Sequence, residues 1–450
     1  MQLAEAEAWL EGLINLERSP DPARVRLSLE PTRRLLAAIG EPQRGLRVLH
    51  VAGSKGKGST ALLAEALLRA AGLSTGTFTS PHLERWTERF RVDGAEVPDE
   101  ALALAVSALR PHADAARGGP EPPSFFDVTT AAAFRLFAEV RVDVAIIEVG
   151  LGGRLDSTNV VAPAVSCITS IELEHTDKLG TTLAAIAGEK AGIAKPGVPL
   201  VTGALEPEAA AVVAERAARL GCPLVRLGRE LELEPLAEEV LGSRFRFADG
   251  PFRAELALAA PGRHQLSNAA LALACARRLG VVGDAELAKS AERAFASVVL
   301  PARIEICSRA PWIVVDGAHT AASARALAAT LVRIPRRRSH LVLSVSGGKD
   351  LAAICAALVP EAEQVTVTRA EPIRSLDPKL VAEAVRAVGT RAEVRVVPNP
   401  HLALRAAREG LAAEDLLCAS GSFYLAGIAR RVLCGAPGPE RRTPGPAPRF

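Results

Sequence analysis

The 450-residue chain is 49% hydrophobic and 23% charged, with a formal net charge of +3. A charge this close to balance gives no general pull toward nucleic acid or a membrane surface, so any anion binding has to come from local loops. The length suits two to three domains with large cores, and no apolar run approaches the ~18–20 residues that span a bilayer.

Helical periodicity covers 2–16 and 31–39, with a Pro-rich connector at 19–22. Residues 47–52 read as a first buried strand, 59–71 as the helix behind it, and 74–78 as a second strand running into Thr79-Ser80-Pro81-His82. A helix is expected at 101–116, a Gly/Pro loop at 117–123, a helix at 128–140 and an apolar strand at 144–149. Strand 165–171, helix 183–193 and a strand from 199 continue the alternation, which argues for an α/β class. A second unit is expected from about residue 298, with strands at 312–315, 340–345, 365–368, 393–397 and 415–419, the pattern of a smaller doubly wound domain. The tail from 435, GAPGPERRTPGPAPRF, has the composition of a disordered segment.

The seven cysteines are scattered, odd in number and without a Cys-x-x-Cys pair. That argues against a disulfide framework or zinc ribbon and for a reducing compartment. Glu5, Glu7 and Glu11 interrupt the first segment, so it does not read as a signal peptide. A cytoplasmic protein is expected.

The run VLHVAGSKGKGST at 48–60 places three glycines and two lysines between a strand and a helix. Backbone N–H groups and the helix dipole converge on an anion there. Gly53, Gly56 and Gly58 allow close backbone approach, and Lys57 can reach terminal phosphates. The P-loop pattern is not matched strictly, because Gly58 separates Lys57 from Ser59 and position 51 is Val. It reads as a P-loop variant.

Glu148 ends the apolar run VAIIEVG. A carboxylate beyond a parallel strand and near a phosphate loop suits Mg²⁺, although a strand-end Glu is also an ordinary surface residue. His175, in ITSIELEHTD, reads either as a loop residue or as a neutral metal ligand beside Glu172, Glu174 and Asp177. Lys190, in GEKAGIAK, reads from the residues alone as a solvated helix lysine; a depressed pKa would let its neutral amine take up CO₂. Asn268, in PGRHQLSNA with His264, suits a helix cap or a nucleotide contact. Arg303 could neutralise a transferring phosphoryl group, and Asp316 and His319, after the first strand of the second unit, stand at a position suited to ribose and phosphate.

Taken in order, HVAGSKGKGST, TSPHLERWTERFRVDG, IIEVGLGGRLDSTN, EHTDKLGTTLAAIAGEKAGI, GRHQLSNA, PARIE, DGAH and SGSFYLAG resemble the folylpolyglutamate synthase/dihydrofolate synthase family of the Mur ligase superfamily. The resemblance runs from about residue 20 to 432. It implies a P-loop-containing ATPase domain like the Mur ligase central domain at 1–297, a Rossmann-like C-terminal ligase domain at 298–434 and a tail at 435–450. It implies an ATP-dependent ligase that joins L-glutamate to 7,8-dihydropteroate, to the γ-carboxylate of a reduced folate, or to both, through an acyl phosphate. On matching positions it puts Gly56, Lys57, Gly58 and Ser59 on the ATP phosphates, and Ser80, Glu148 and His175 on two Mg²⁺ ions. Lys190 matches a lysine that is carbamylated in the family, and Lys57, His175 and Lys190 are the expected catalytic residues. Asn268, Arg303, Asp316 and His319 would meet the nucleotide; Phe126, Asp127 and Asp156 would meet the pteridine-bearing substrate. A monomer without nucleic-acid or membrane partners is implied. A Mur-type ligase of cell-wall precursors and a nucleotide-binding protein without ligase activity are the alternatives. Ser54-Lys55, Thr320 and the SGGKD segment depart from the family pattern.

Overall fold

The structure, a computed structural model, describes residues 1–15 and 27–435. The expected connector at 19–22 and the tail beyond 435 lie outside the described residues. Among the described residues no helix is long and apolar enough to cross a membrane.

Eight strands form the first sheet: β1 (Val48–Ala52), β2 (Thr75–Phe78), β3 (Phe90–Val92), β4 (Ala95–Glu96), β5 (Val144–Glu148), β6 (Val165–Ile168), β7 (Leu200–Thr202) and β8 (Leu224–Arg226). Their order is β4-β3-β2-β5-β1-β6-β7-β8, with β1 between β5 and β6. The pairs are parallel except at the β2-β3-β4 edge. Every residue of β1 and β5 is buried, as expected for strands covered on both faces. One face packs Leu63 and Leu67 of helix Lys57–Ala70 against Leu266 and Leu273 of helix Arg263–Leu279. The other packs Phe134 and Phe137 of helix Phe125–Val140 with Val106 of helix Asp99–Ala116.

A three-stranded antiparallel sheet follows, formed by β9 (Leu231–Glu239), β10 (Gly242–Asp249) and β11 (Phe252–Leu258). Its Phe245, Phe247 and Leu256 join the first of these cores. The last sheet has six strands: β12 (Glu305–Arg309), β13 (Trp312–Val315), β14 (Ser339–Leu343), β15 (Gln364–Val367), β16 (Glu393–Val396) and β17 (Leu416–Ser420). Its order is β12-β13-β17-β14-β15-β16, parallel except for β12.

Element edges differ from the sequence reading where side chains decide them. Helix Phe125–Val140 starts three residues before the expected 128, because Ser124 and Asp127 form a reciprocal capping box. Strand β6 ends at Ile168 rather than 171, and the first helix ends at Glu11. The expectation of unpaired thiols is corrected: Cys307 of β12 and Cys434 after the last helix are joined in a disulfide. Their sequence separation of 127 hides the pairing from any spacing rule. The other five cysteines are free and buried.

Candidate active site

The phosphate loop leaves the carboxyl end of β1 between the ends of β5 and β6. Its shape requires glycine: Gly53 has φ +147° and Gly56 has φ +84°. A Cβ on Gly56 would run into Oδ1 of Asn268, and one on Gly53 into Oγ1 of Thr169. The end of β6 pins the loop. Ser54 N–H donates to Ser170 O at 2.8 Å, and Lys55 N–H donates to Ser170 Oγ at 2.9 Å. Helix Lys57–Ala70 starts two residues earlier than expected. Lys57, Gly58 and Ser59 therefore lie in its first turn, whose N–H groups lack helical acceptors and face the loop mouth. Lys57 Nζ folds back to donate to Gly53 O at 2.9 Å.

Glu148, 4% exposed, accepts from Ser80 N–H at 3.0 Å. Burial pushes its carboxyl pKa up, while Lys57, the Ser80 N–H, Arg303 and Arg89 pull it back. Gly58 lies against it, since a Cβ there would come 3.3 Å from Oε2.

Lys190 is 2% exposed and donates to Glu174 Oε1 at 3.2 Å. Burial first, then Lys57, lowers its pKa to about 8 against the pull of Glu174. Lys55 Nζ reaches the other oxygen of Glu174, also at 3.2 Å. Burial raises the Glu174 pKa, but Lys57, Lys190, Lys55 and His175 outweigh it and hold the group at about 2. His175 caps the short helix Thr176–Leu179 with φ +48°. Lost hydration lowers its pKa to about 4, helped by Lys349, Lys57 and Lys190 and opposed by Glu174.

The end of the six-stranded sheet closes the cavity from the opposite side. Arg303 lies between two non-glycine residues at left-handed φ, Ala302 and Ile304, both +51°. Such backbone persists only where its surroundings enforce it, and for a β-branched Ile it is a clear outlier. Asp316 supplies the enforcement. Its carboxylate accepts from Ile304 N–H and Ala318 N–H, each at 2.7 Å. Arg303 stacks on Phe423 at 4.5 Å, and His319 packs on the same ring at 5.2 Å. His319 Nδ1 lies 2.8 Å from the Gly317 carbonyl, so Nδ1 carries the proton and Nε2 is the acceptor. Desolvation, then Lys55, lowers its pKa to about 3, so the ring is neutral.

All the expected site residues border one cavity of about 1200 Å³. The local environments sort them. Asn268 lies in the second turn of helix Arg263–Leu279, so it is not a cap; its Nδ2 donates to Gln265 Oε1 at 2.8 Å. Asp127 borders the cavity, but Thr32, Ser157 and the Ser124 hydroxyl and N–H all donate to its carboxylate. Asp156 N-caps the turn Ser157–Val160. The Phe126 ring lies against Gly150, where a Cβ would collide with it.

Other cavity residues carried no expected role. Arg89, 1% exposed, lies 5.1 Å from the Trp86 ring centre and 5.5 Å from that of Phe125. Lys349 comes from the SGGKD loop. Glu174 was legible only as a neighbour of His175. The departures have local accounts. Lys55 pairs with Glu174, Thr320 caps helix Ala321–Leu331, and Asp350 caps helix Leu351–Leu358. Among the described residues no cluster of three or more His, Cys, Asp and Glu side chains gathers as a metal site.

Comparison with known proteins matches 114–276 to the Mur ligase middle domain and 302–423 to the Mur ligase glutamate ligase domain. A Bacillus subtilis dihydrofolate synthase/folylpolyglutamate synthase is 36% identical over 347 residues, 76% of this chain and 79% of that protein. A Mycobacterium tuberculosis folylpolyglutamate synthase complexed with ADP has a TM-score of 0.84 at 32% identity, covering 96% of this chain and 98% of that one. Escherichia coli FolC in complex with DHPP and ADP has a TM-score of 0.82 at 30% identity, covering 97% and 98%.

Proposed function

Because the chain belongs to the folylpolyglutamate synthase/dihydrofolate synthase family of Mur ligases, we propose that its cavity joins L-glutamate both to 7,8-dihydropteroate and to the γ-carboxylate of a reduced folate. The observation that carries this reading is the convergence, in one cavity, of the phosphate loop from the first sheet and Arg303 from the six-stranded sheet. Family membership sets aside a cell-wall precursor as the substrate.

A carboxylate does not accept an amine at neutral pH until it is activated. Here the acceptor carboxylate attacks the γ-phosphorus of ATP, releasing ADP and forming an acyl phosphate. The glutamate amine then attacks the acyl carbon and phosphate leaves. Both steps gather negative charge on oxygen, so catalysis rests on positioning and charge neutralisation. First-turn N–H groups of helix Lys57–Ala70 hold the phosphates, and Lys57 exchanges its bond to Gly53 O for a phosphate oxygen. Arg303, braced by Asp316 and Phe423, faces them from the six-stranded sheet. Asn268 and His319 border the same nucleotide space.

The oxygen donors of Glu148 and Ser80 fit Mg²⁺, which takes hard oxygen ligands and keeps few from protein. Glu148 and the Ser80 hydroxyl would hold one ion, and His175 with Lys190 in its carboxylated form a second. Bound Mg²⁺ neutralises phosphate charge and polarises the phosphoryl group. An amine with a pKa near 8 is in part neutral at physiological pH, which suits reaction with CO₂ to give a carbamate and a proton. Phe126 and Asp156 would meet the pteridine end. The division into 1–297 and 298–434 is proposed on the separate sheets and cores, and the protein is proposed to be a cytoplasmic monomer.

The test is turnover of purified protein with MgATP, glutamate and either dihydropteroate or tetrahydrofolate, products read by mass. Glutamate addition to both supports the dual activity. Addition to one alone restricts it, and addition to neither rejects the reading.

A further inference from the structure

His50 lies in β1 within the HVAG motif, fully buried, and has no part in the chemistry above. Its Nε2 is 2.8 Å from Thr158 Oγ1. That hydroxyl donates in turn to Asp156 Oδ1. A threonine hydroxyl carries one proton. With the proton given to the carboxylate, Oγ1 accepts from His50, so the imidazole hydrogen sits on Nε2. The far side of the ring agrees: Nδ1 is buried without a partner among the described residues, and a bare lone pair is tolerated where a bare N–H is not. Burial and Lys195 hold the His50 pKa at about 3, so the ring is neutral.

Two backbone donors complete the hold on Asp156. Thr158 N–H reaches Oδ1 at 3.0 Å, and Leu151 N–H reaches Oδ2 at 2.8 Å. An ionised carboxylate offers about four acceptor positions. Three are filled from within the fold, and the open one belongs to Oδ2. Asp156 borders the cavity, whereas Thr158 and His50 do not.

We infer that His50 and Thr158 are positioning residues for the acceptor substrate. The one-way chain from His50 Nε2–H through the Thr158 hydroxyl fixes the Asp156 carboxylate so that its open Oδ2 position accepts an N–H of a pteridine-type heterocycle. This rests on the reading of the cavity as a dihydropteroate site. Removing the hydroxyl leaves a buried imidazole N–H unpaired and leaves the carboxylate with only its two backbone donors, one on each oxygen, so its orientation loosens.

Steady-state kinetics of the full chain test it, with Thr158→Val and His50→Leu against the donor-keeping variants Thr158→Ser and His50→Gln. Thr158→Val and His50→Leu are expected to raise KM for dihydropteroate about tenfold, while kcat, KM for MgATP and KM for glutamate stay within about twofold. Thr158→Ser and His50→Gln are expected to recover most of the loss, and unchanged ADP affinity reports an intact fold. The inference is overturned if Thr158→Val leaves KM for dihydropteroate unchanged, if Thr158→Ser is as impaired as Thr158→Val, or if KM for MgATP rises in step. Wild-type protein with no dihydropteroate-dependent turnover overturns the acceptor reading and this inference together. Wild-type turnover with an unchanged KM in Thr158→Val overturns this inference alone.

Discussion

Glu174 Oε1 lies 3.2 Å from Nζ of Lys190, a lysine only 2% exposed. The same carboxylate holds Lys55 on its other oxygen. One acid therefore restrains two cations beside a third, Lys57, in a cavity built to receive more negative charge. Phosphate groups entering the loop would compete with Glu174 for Lys55.

The Lys190 amine should carboxylate in a pH-dependent way. Its pKa of about 8 is below the lysine norm because burial and Lys57 disfavour the charged form. Raising pH removes the ammonium proton, so the reactive neutral fraction grows from about a tenth at pH 7 to about half at pH 8. Protein equilibrated with ¹³C-bicarbonate should show a carbamate carbon resonance that strengthens over this range and is absent in Lys190→Met. Activity in CO₂-free buffer should fall and return with bicarbonate. Full activity without CO₂, from a lysine of unaltered mass, contradicts the assignment.

Glu148→Gln should separate activity from stability. The buried carboxylate has the Ser80 N–H as its hydrogen-bond donor, and burial already works against its charge. Neutralising it removes a desolvated anion, so the thermal midpoint of the apoprotein should hold or rise. Loss of the proposed Mg²⁺ ligand should lower kcat/KM by about 10² or more. Calorimetry and steady-state assays on one preparation check both halves.

Asp127→Ala should act chiefly on stability. Its carboxylate ties Thr32, Ser124 and Ser157 together and completes the capping box of helix Phe125–Val140, whose N-cap is Ser124. Breaking a buried network and a helix cap together costs about 3 kcal/mol, read as a lower denaturant midpoint at unchanged slope. A large rise in KM for dihydropteroate with an unchanged midpoint would instead make Asp127 a direct substrate contact.

Cys307→Ser should destabilise the region that carries Arg303. The Cys307–Cys434 bond ties β12 to the end of helix Phe423–Leu433, near the Glu305–Arg430 ion pair at 2.7 Å. Closing a long loop stabilises a fold by about 2–4 kcal/mol. Dithiothreitol should lower the wild-type thermal midpoint and leave Cys307→Ser unchanged. Equal response of both proteins contradicts the bond's contribution.

The phosphate loop was legible because its function is written in consecutive residues: a fully buried strand, glycines that must adopt positive φ, and a lysine. Glu148 was legible for a similar reason, since a carboxylate closing an apolar strand has few explanations. The β9–β11 sheet was not legible, although β9 alternates exposed and half-buried residues after a buried Leu231, because the neighbouring αβ alternation invites a different period. The partners of Asp127 and Asp156 were hidden too. A sequence shows a carboxylate but not which donors have already claimed it. Arg303 could be suspected, whereas the left-handed backbone on both sides of it could not, since Ala302 and Ile304 carry no glycine to mark the turn.

Activation of the acceptor carboxylate by phosphoryl transfer, in a cavity shared by the eight-stranded and six-stranded sheets, is the central proposed step. The most direct measurement uses dihydropteroate labelled with ¹⁸O in its carboxylate, incubated with MgATP and glutamate. An acyl phosphate requires one labelled oxygen to leave with phosphate, so ¹⁸O-phosphate is expected in step with amide formation. Amide formed with unlabelled phosphate would contradict it.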